Sequence, residues 1–594
     1  MCHYCLTANR LVQVVRFPAK TTENDINNEM RRSSTNVTGH YAPKIFLLGG
    51  FLLALSLLSG CTTTKSGSNG ASGSATVAGN ILRYPLTTEP TDIDTARVED
   101  GTTIDMLQNI FAGLVRWNDH SEIVPDIAEK WDVTGGGTIY TFHLKHGIKF
   151  HNGRELTADD FKFSLDRACN PATKSTTAAS YLNDIVGAKE FINRPANAST
   201  PTEVTGVKVV DPYTLQITID APKSYWLGKM TYPTGYAVCR EAIEKNGGVL
   251  DEKSAVGTGP FRLDPVDFQR GSQVTLTANE AYQDGRPKLD KIVRPILKDA
   301  STRLSNYEAG NLDNVEISAA DIDHINGDPN LKPALKTFPR AATWYVALNS
   351  AAKDSPFGNR DVRRAFAMAV DKDEVVRVGM KNLVPIATGI VPPNMGAYAP
   401  KIKLLPYDPT QAKALLAKAG FPDGKGLPAL TFNYRNDKPE VGAVAQVIAQ
   451  QLKTNLNINI QCQSMEWATF LKERTAKTMA ISYLRWGADY LDPQDYLSTL
   501  LHTSRLVNNN EDHPENGVGY SSPEFDKLCD AADIESDSKK RFAMYERAEQ
   551  IAVDDAPWIP IYYQRDVELV RPGVTGVRDS LLGHLPHLTT TVGK

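Results

Sequence analysis

One stretch of this chain is apolar enough to engage a membrane, and it lies near the N-terminus. It runs from Ile45 to Gly60, with Ile45, Phe46, Leu47 and Leu48 followed by Phe51 to Leu58. No later stretch reaches the roughly 20 apolar residues that a helical span requires. The run is short for a span but suits the apolar region of an export signal, and Arg31, Arg32 and Lys44 supply the positive charge before it.

The run ends in Leu58-Ser59-Gly60-Cys61, which resembles a bacterial lipobox. There, small residues fit the signal peptidase and the cysteine thiol receives a diacylglycerol. The expectation is lipid attachment at Cys61, and the alternative is a plain signal with a chance cysteine. Thr62 to Ala78 is rich in Ser, Gly and Thr without apolar periodicity and reads as a flexible tether over 62–79. Residues 1–29 precede a plausible start at Met30. Cys2-His3-Tyr4-Cys5 has metal-like spacing but no second pair near it, and it falls in the part expected to be removed (1–61).

At 594 residues the chain is too long for one core, so two or three lobes are expected. Its 65 basic and 69 acidic residues give a net charge of −4, which offers no electrostatic case for nucleic acid. The cysteines are scattered. Cys169, Cys239, Cys462 and Cys529 could pair after export, with connectivity left open.

Strand patterns dominate early. Tyr140, Phe142 and Leu144 alternate after Gly135-Gly136-Gly137, as do Leu215, Ile217 and Ile219, and Val274 and Leu276. Thr157 can cap a helix through Phe161 and Leu165, with Asp159 and Asp160 in its first turn. Later, Asp361 is expected to cap a helix with apolar positions 362, 365, 366, 369 and 370. Asp408-Pro409 opens another that stops at Gly420. Strands at Leu430 to Tyr434 and Leu456 to Ile460 flank a helix through Val441 to Leu452, a β-α-β unit of an α/β lobe.

A search for catalytic signatures finds no G-x-S-x-G, H-E-x-x-H or phosphate-binding loop. In Gly257-Thr258-Gly259-Pro260-Phe261 the proline removes a backbone donor, so a structural turn is the better reading. Asp489, Asp492 and Asp495 recur every three residues, yet the glycine and closing glutamate of a calcium loop are missing. No enzyme, metal site or cofactor is expected.

A series of blocks then appears in a fixed order: Glu122 to Trp131, Tyr140 to Leu144, Phe150 to Gly153, Leu156 to Phe161, Gly257 to Phe261, Asn279 to Pro287, Val362 to Phe366, Ala412 to Gly424, Trp467 to Leu471, Trp486 to Tyr490, and Tyr520 to Lys527. Together they resemble the family-5 extracellular solute-binding proteins of ABC importers, in particular the oligopeptide-binding proteins, from about residue 81 onward. The resemblance implies an α/β three-domain clamshell of the periplasmic-binding-protein kind. Domain I would comprise 80–110, 240–341 and 560–594, domain II 111–239 and domain III 342–559. Hinges would lie near Ala342 to Asn349 and Pro560 to Tyr563. It further implies an extracytoplasmic, lipid-anchored monomer that captures short peptides and delivers them to permease subunits coupled to a cytoplasmic ATPase. The same clamshell could instead hold a nickel chelate, an oligosaccharide or a murein peptide, or serve a sensory receptor.

By the same resemblance Asp489, the aspartate of the W-x-x-D block, pairs with the ligand's α-ammonium. A buried ammonium needs an anionic partner because an unpaired buried charge is expensive. Glu99 is a second acidic contact, and Trp467 and Trp486 line the cleft, with Tyr181 and Tyr345 as further candidates. Main-chain groups near Gly101 and along 484–489, which includes Arg485 and Ala488, would hold the peptide as an added strand. Where some relatives place basic groups for the peptide carboxylate, this chain has Met380, Glu440 and Tyr483, with Lys381 and Arg485 adjacent. A cysteine beside the site tryptophan in close relatives is Gly487 here, and its partner falls near Ala342, so that disulfide is absent.

Overall fold

The computed structural model describes residues 79–195, 198–506 and 516–593. The export signal, Cys61 and positions 62–78 of the tether lie outside the described residues.

Three sheets organise the body. The first orders strands Ile81–Arg83, Lys291–Pro295, Gln273–Ala278 and Phe261–Arg262, with Phe268–Gln269 also paired to Gln273–Ala278. The second is antiparallel and orders Ala128–Thr134, Ile139–Leu144, Thr214–Thr218 and Val207–Asp211. The third has six strands in the order Asn314–Glu316, Trp558–Val570, Leu335–Leu348, Ile481–Gly487, Thr431–Arg435 and Gln461–Met465. This mixed α/β body with several cores is the clamshell architecture expected from the blocks above.

Local sequence explains most of these elements. In Ile139–Leu144 the alternating Tyr140, Phe142 and Leu144 are buried, and Tyr140 packs on Trp226 with ring centroids 4.4 Å apart. Helix Ala158–Cys169 covers that face with Phe161 and Leu165, and the Asp160 carboxylate accepts the Thr157 N–H at 2.9 Å. Helix Pro409–Lys418 begins where Asp408 accepts the Gln411 N–H.

Two local expectations are corrected. The helix Arg360–Met368 is capped by Asn359, whose side chain accepts the Asp361 N–H, so Asp361 sits in the first turn, where it still favours the helix dipole. Leu456 to Ile460 is not a strand. Helix Pro439–Leu456 runs through Leu456, and Asn457 turns left-handed at φ 58° to end it. Leu456, Ile458 and Ile460 are all buried, so their alternation records packing of a helix end and its exit rather than a ladder. The strand follows at Gln461–Met465, parallel to Thr431–Arg435, which preserves the β-α-β unit.

Two long antiparallel strands, Leu335–Leu348 and Trp558–Val570, run through the centre, and their register breaks between Pro339 and Thr343. Arg340 sits in that break and binds Asp566 at 2.5 Å and Asp579 at 2.9 Å. Gly257 packs so tightly on the end of helix Gly101–Ile110 that a Cβ would lie 2.0 Å from the Ile110 carbonyl oxygen, which makes the glycine-rich turn a packing device. Cys169, Cys239, Cys462 and Cys529 are all unpaired thiols.

One buried acid has a pH consequence. Glu549 accepts hydrogen bonds from the Ile390 and Val391 N–H groups and from the Tyr398 hydroxyl, and so ties down the segment around 390. Burial pushes its carboxyl up from 4.5 to about 7. Between those values the folded state binds more protons than the unfolded chain, so stability falls as pH rises through this window. In Glu549→Gln the fall should flatten, which urea unfolding at a series of pH values will show.

Candidate ligand-binding cleft

The cleft is built around strand Ile481–Gly487 and the residues after it. On one side the whole strand pairs with Leu335–Leu348, from Ile481 opposite Leu348 to Gly487 opposite Ala342. On the other side pairing with Thr431–Arg435 stops at Tyr483 opposite Tyr434. The edge from Leu484 to Gly487 therefore has no strand beside it among the described residues. An unpaired strand edge is a template for an extended guest.

Acidic groups gather beyond the end of this edge. The Tyr181 hydroxyl, from the lobe of the four-stranded sheet, donates to Asp489 Oδ2 at 2.5 Å. Tyr181 stacks on Tyr232 with centroids 3.8 Å apart, and the Tyr232 hydroxyl donates to the Val98 carbonyl at 3.0 Å. Burial pushes the Tyr232 phenol well up, and the negative charges of Asp489 and Glu99 push it further. Glu99, an exposed side chain, is thus close enough for its charge to act on the same tyrosine. Gly101 begins helix Gly101–Ile110, and a Cβ there would meet nothing within 4 Å.

Asp495 supports this end from below. Its Oδ2 accepts the Trp486 Nε1–H at 3.0 Å and the Asp489 N–H at 3.3 Å, which fixes both the indole and the Asp489 backbone. It is buried, and its carboxyl is pushed well up, first by burial and then by Asp489. Asp492 is occupied elsewhere, bound through both oxygens to Arg541 at 2.8 and 2.6 Å. The aspartates at every third position thus divide into a candidate ligand group, an ion-pair partner and a support.

The opposite character appears earlier on the strand. Arg485, on the same unpaired edge, is exposed. Arg435 lies 3.9 Å over the Trp467 ring and pairs with Asp437 at 2.5 Å, so half-buried Trp467 is fixed by a cation–π contact. Ala488 is half-buried, and its N–H donates to the Ala341 carbonyl at 2.7 Å.

Two sequence candidates are core residues rather than cleft residues. Tyr345 stacks on Trp558 at 3.6 Å, and Tyr483 packs among Trp344, Phe432 and Tyr562; both are fully buried. Lys381 pairs with Asp323 at 3.4 Å on the surface, and Met380 belongs to a core. Sequence reasoning missed Tyr232, Asp495 and Arg435. Of these only Asp495 left a trace, in the three-residue spacing.

The lobes meet across the cleft. Tyr490, on the same segment as Asp489, is buried in the core of the four-stranded sheet's lobe, where it lies 6.2 Å from Tyr225 ring to ring. A Cβ at Gly228 would fall 2.9 Å from the Tyr490 Cβ, so only glycine admits this contact.

An α/β clamshell whose lobes meet beside an open strand edge with charged side chains at its end is the architecture of a solute-binding protein. A family model described as bacterial extracellular solute-binding proteins, family 5 Middle, matches residues 122–508, and the chain belongs to this family. The dipeptide-binding protein DppE of Bacillus subtilis (strain 168) is 29% identical over 555 residues, covering 91% of this chain and 97% of that protein. The probable deoxycholate-binding periplasmic protein YgiS of Escherichia coli (strain K12) is 30% identical over 506 residues, covering 84% and 90%. The Escherichia coli murein tripeptide binding protein MppA superposes with a TM-score of 0.77 at 25% identity, covering 87% of this chain and 99% of that one. Its unliganded open form fits less well, at 0.65, with 25% identity and coverage of 87% and 98%. That difference agrees with the lobe contacts made by Tyr181 and Tyr490.

Proposed function

We propose that this protein captures short peptides in the interlobe cleft and delivers them to the membrane subunits of an ABC importer, without catalysing a reaction. The observation that carries the reading is Asp489, a half-buried carboxylate at the end of an unpaired strand edge, held by Tyr181 of the opposite lobe. A peptide laid along Leu484 to Gly487 as an added strand would bring its α-ammonium to this acid, with Trp486, Trp467, Glu99, Gly101 and Ala488 around it. Main-chain pairing leaves side chains free to vary. The names of the relatives support peptides, while the deoxycholate-binding relative keeps a second solute class in view.

Closure would turn about Ala342 to Asn349 and Pro560 to Tyr563, both on the long central strands beside the break in register. Domain I (80–110, 240–341, 560–594), domain II (111–239) and domain III (342–559) would be the moving bodies. We also retain extracytoplasmic attachment through a lipid on Cys61 and a monomeric state.

Native mass spectrometry of the purified protein tests the reading. Co-purified masses that fragment as peptides with free N-termini are expected; a carbohydrate or sterol mass would overturn it.

A further inference from the structure

A hairpin near the C-terminus is bonded to the segment that carries Asp489, which deepens the proposed function and rests on its Asp489 reading. Strands Asp579–Ser580 and Gly583–His584 pair antiparallel, with Leu581 and Leu582 at the tip. The hairpin is bound where the register of the two long central strands breaks. Arg340 Nη1 donates there to Asp579 Oδ2 and to the Ser580 carbonyl, each at 2.9 Å, and the Ala341 N–H donates to the Leu581 carbonyl at 2.8 Å. His584 lies between two carboxylates, 3.0 Å from Glu568 on the second long strand and 2.9 Å from Asp579. At the tip the Leu581 N–H donates to Ser121 Oγ at 3.2 Å, and just before the hairpin Arg578 pairs with Asp119 at 2.7 Å.

Ala341 passes this anchorage on. Its carbonyl accepts the Ala488 N–H at 2.7 Å and the Tyr496 hydroxyl at 2.9 Å. A series of main-chain bonds therefore runs from Leu581 through Ala341 to Ala488, the residue before Asp489. Leu581 and Leu582 pack on the same core as Trp486 and Ala488. From Leu484 to Gly487 the strand is paired on one side only, so the bonds on that side carry its placement. A binding group is held only as well as the residues behind it allow, and hydrogen bonds to charged groups such as Arg340 are the stronger kind.

We propose that the C-terminal hairpin positions the Trp486–Asp489 segment for the guest. Asp579 and Arg340 fix Ala341, and Ala341 fixes the backbone from which Asp489 meets the ammonium. These are positioning residues, acting through Ala341 and not by contact with the guest.

The test uses the full chain with two changes to the hairpin's ties. Asp579→Asn loosens the bond to Arg340; the double variant Ser121→Ala, Arg578→Gln loosens the outer side and leaves Arg340 its partners. Hydrogen exchange read by mass spectrometry should quicken at 486–490 in both while 481–484 stays as slow as before. Calorimetry should find trialanine weakened by roughly tenfold in Asp579→Asn, as expected within one bonded network, and less in the double variant. A purely structural hairpin would lower the urea midpoint yet leave exchange at 486–490 and trialanine affinity unchanged in both variants, and that result would overturn the proposal. Asp489→Ala measured beside them separates the two readings. Full trialanine affinity there overturns the Asp489 reading, whereas unaltered exchange and affinity in the hairpin variants overturn the hairpin's role alone.

Discussion

Asp489→Ala is expected to weaken binding of a free-amine peptide by two to three orders of magnitude while leaving the protein folded. Truncating one partner of a buried, hydrogen-bonded charge pair costs roughly 2–5 kcal/mol, largely because the other charge stays buried without compensation. At about 1.4 kcal/mol per tenfold, that range spans from tens to thousands of fold in affinity. The change should leave unfolding by urea nearly unaltered, since Asp489 is only half-buried and its contact with Tyr181 joins two lobes. Calorimetry with trialanine, beside urea titrations of both proteins, checks both parts. Unchanged affinity would remove Asp489 from the site.

The second large effect is expected at Tyr490. Its ring is buried in the core of the opposite lobe, against Tyr225 and over Gly228. Removing a buried aromatic ring costs about 3–5 kcal/mol. Here most of that cost should fall on the closed state, because the contact joins two lobes. A ligand that binds the closed form then loses affinity in proportion to the closed fraction. Tyr490→Ala should therefore weaken every ligand at least tenfold, whatever its charge, and small-angle scattering should show a more open molecule at a ligand concentration that closes the unaltered protein. A loss confined to free-amine ligands would mean that Tyr490 acts through Asp489 instead.

Much of the fold could be read from the chain because it is written locally. The alternation of Tyr140, Phe142 and Leu144 and the Asp408-Pro409 start both express nearest-neighbour physics, and both appear in the structure. The failures come from patterns with two meanings. Alternation at Leu456, Ile458 and Ile460 suits a strand, yet here it spans a helix end and a left-handed asparagine. Tyr345 and Tyr483 lie on strands that pass close to the cleft, but sequence does not say which face meets a core. The cleft was legible only where one segment holds several of its parts, Trp486 to Asp489. Tyr232 reaches the site across more than 200 residues of chain through its stack on Tyr181, and nothing near it in sequence marks it.

The most direct test is a crystal structure of the protein with trialanine. The ammonium nitrogen should lie within about 3 Å of the Asp489 carboxylate, with the peptide backbone paired to the edge at 484–487. A guest bound elsewhere, with Asp489 facing open solvent, would contradict the account and leave only the two-lobed architecture standing.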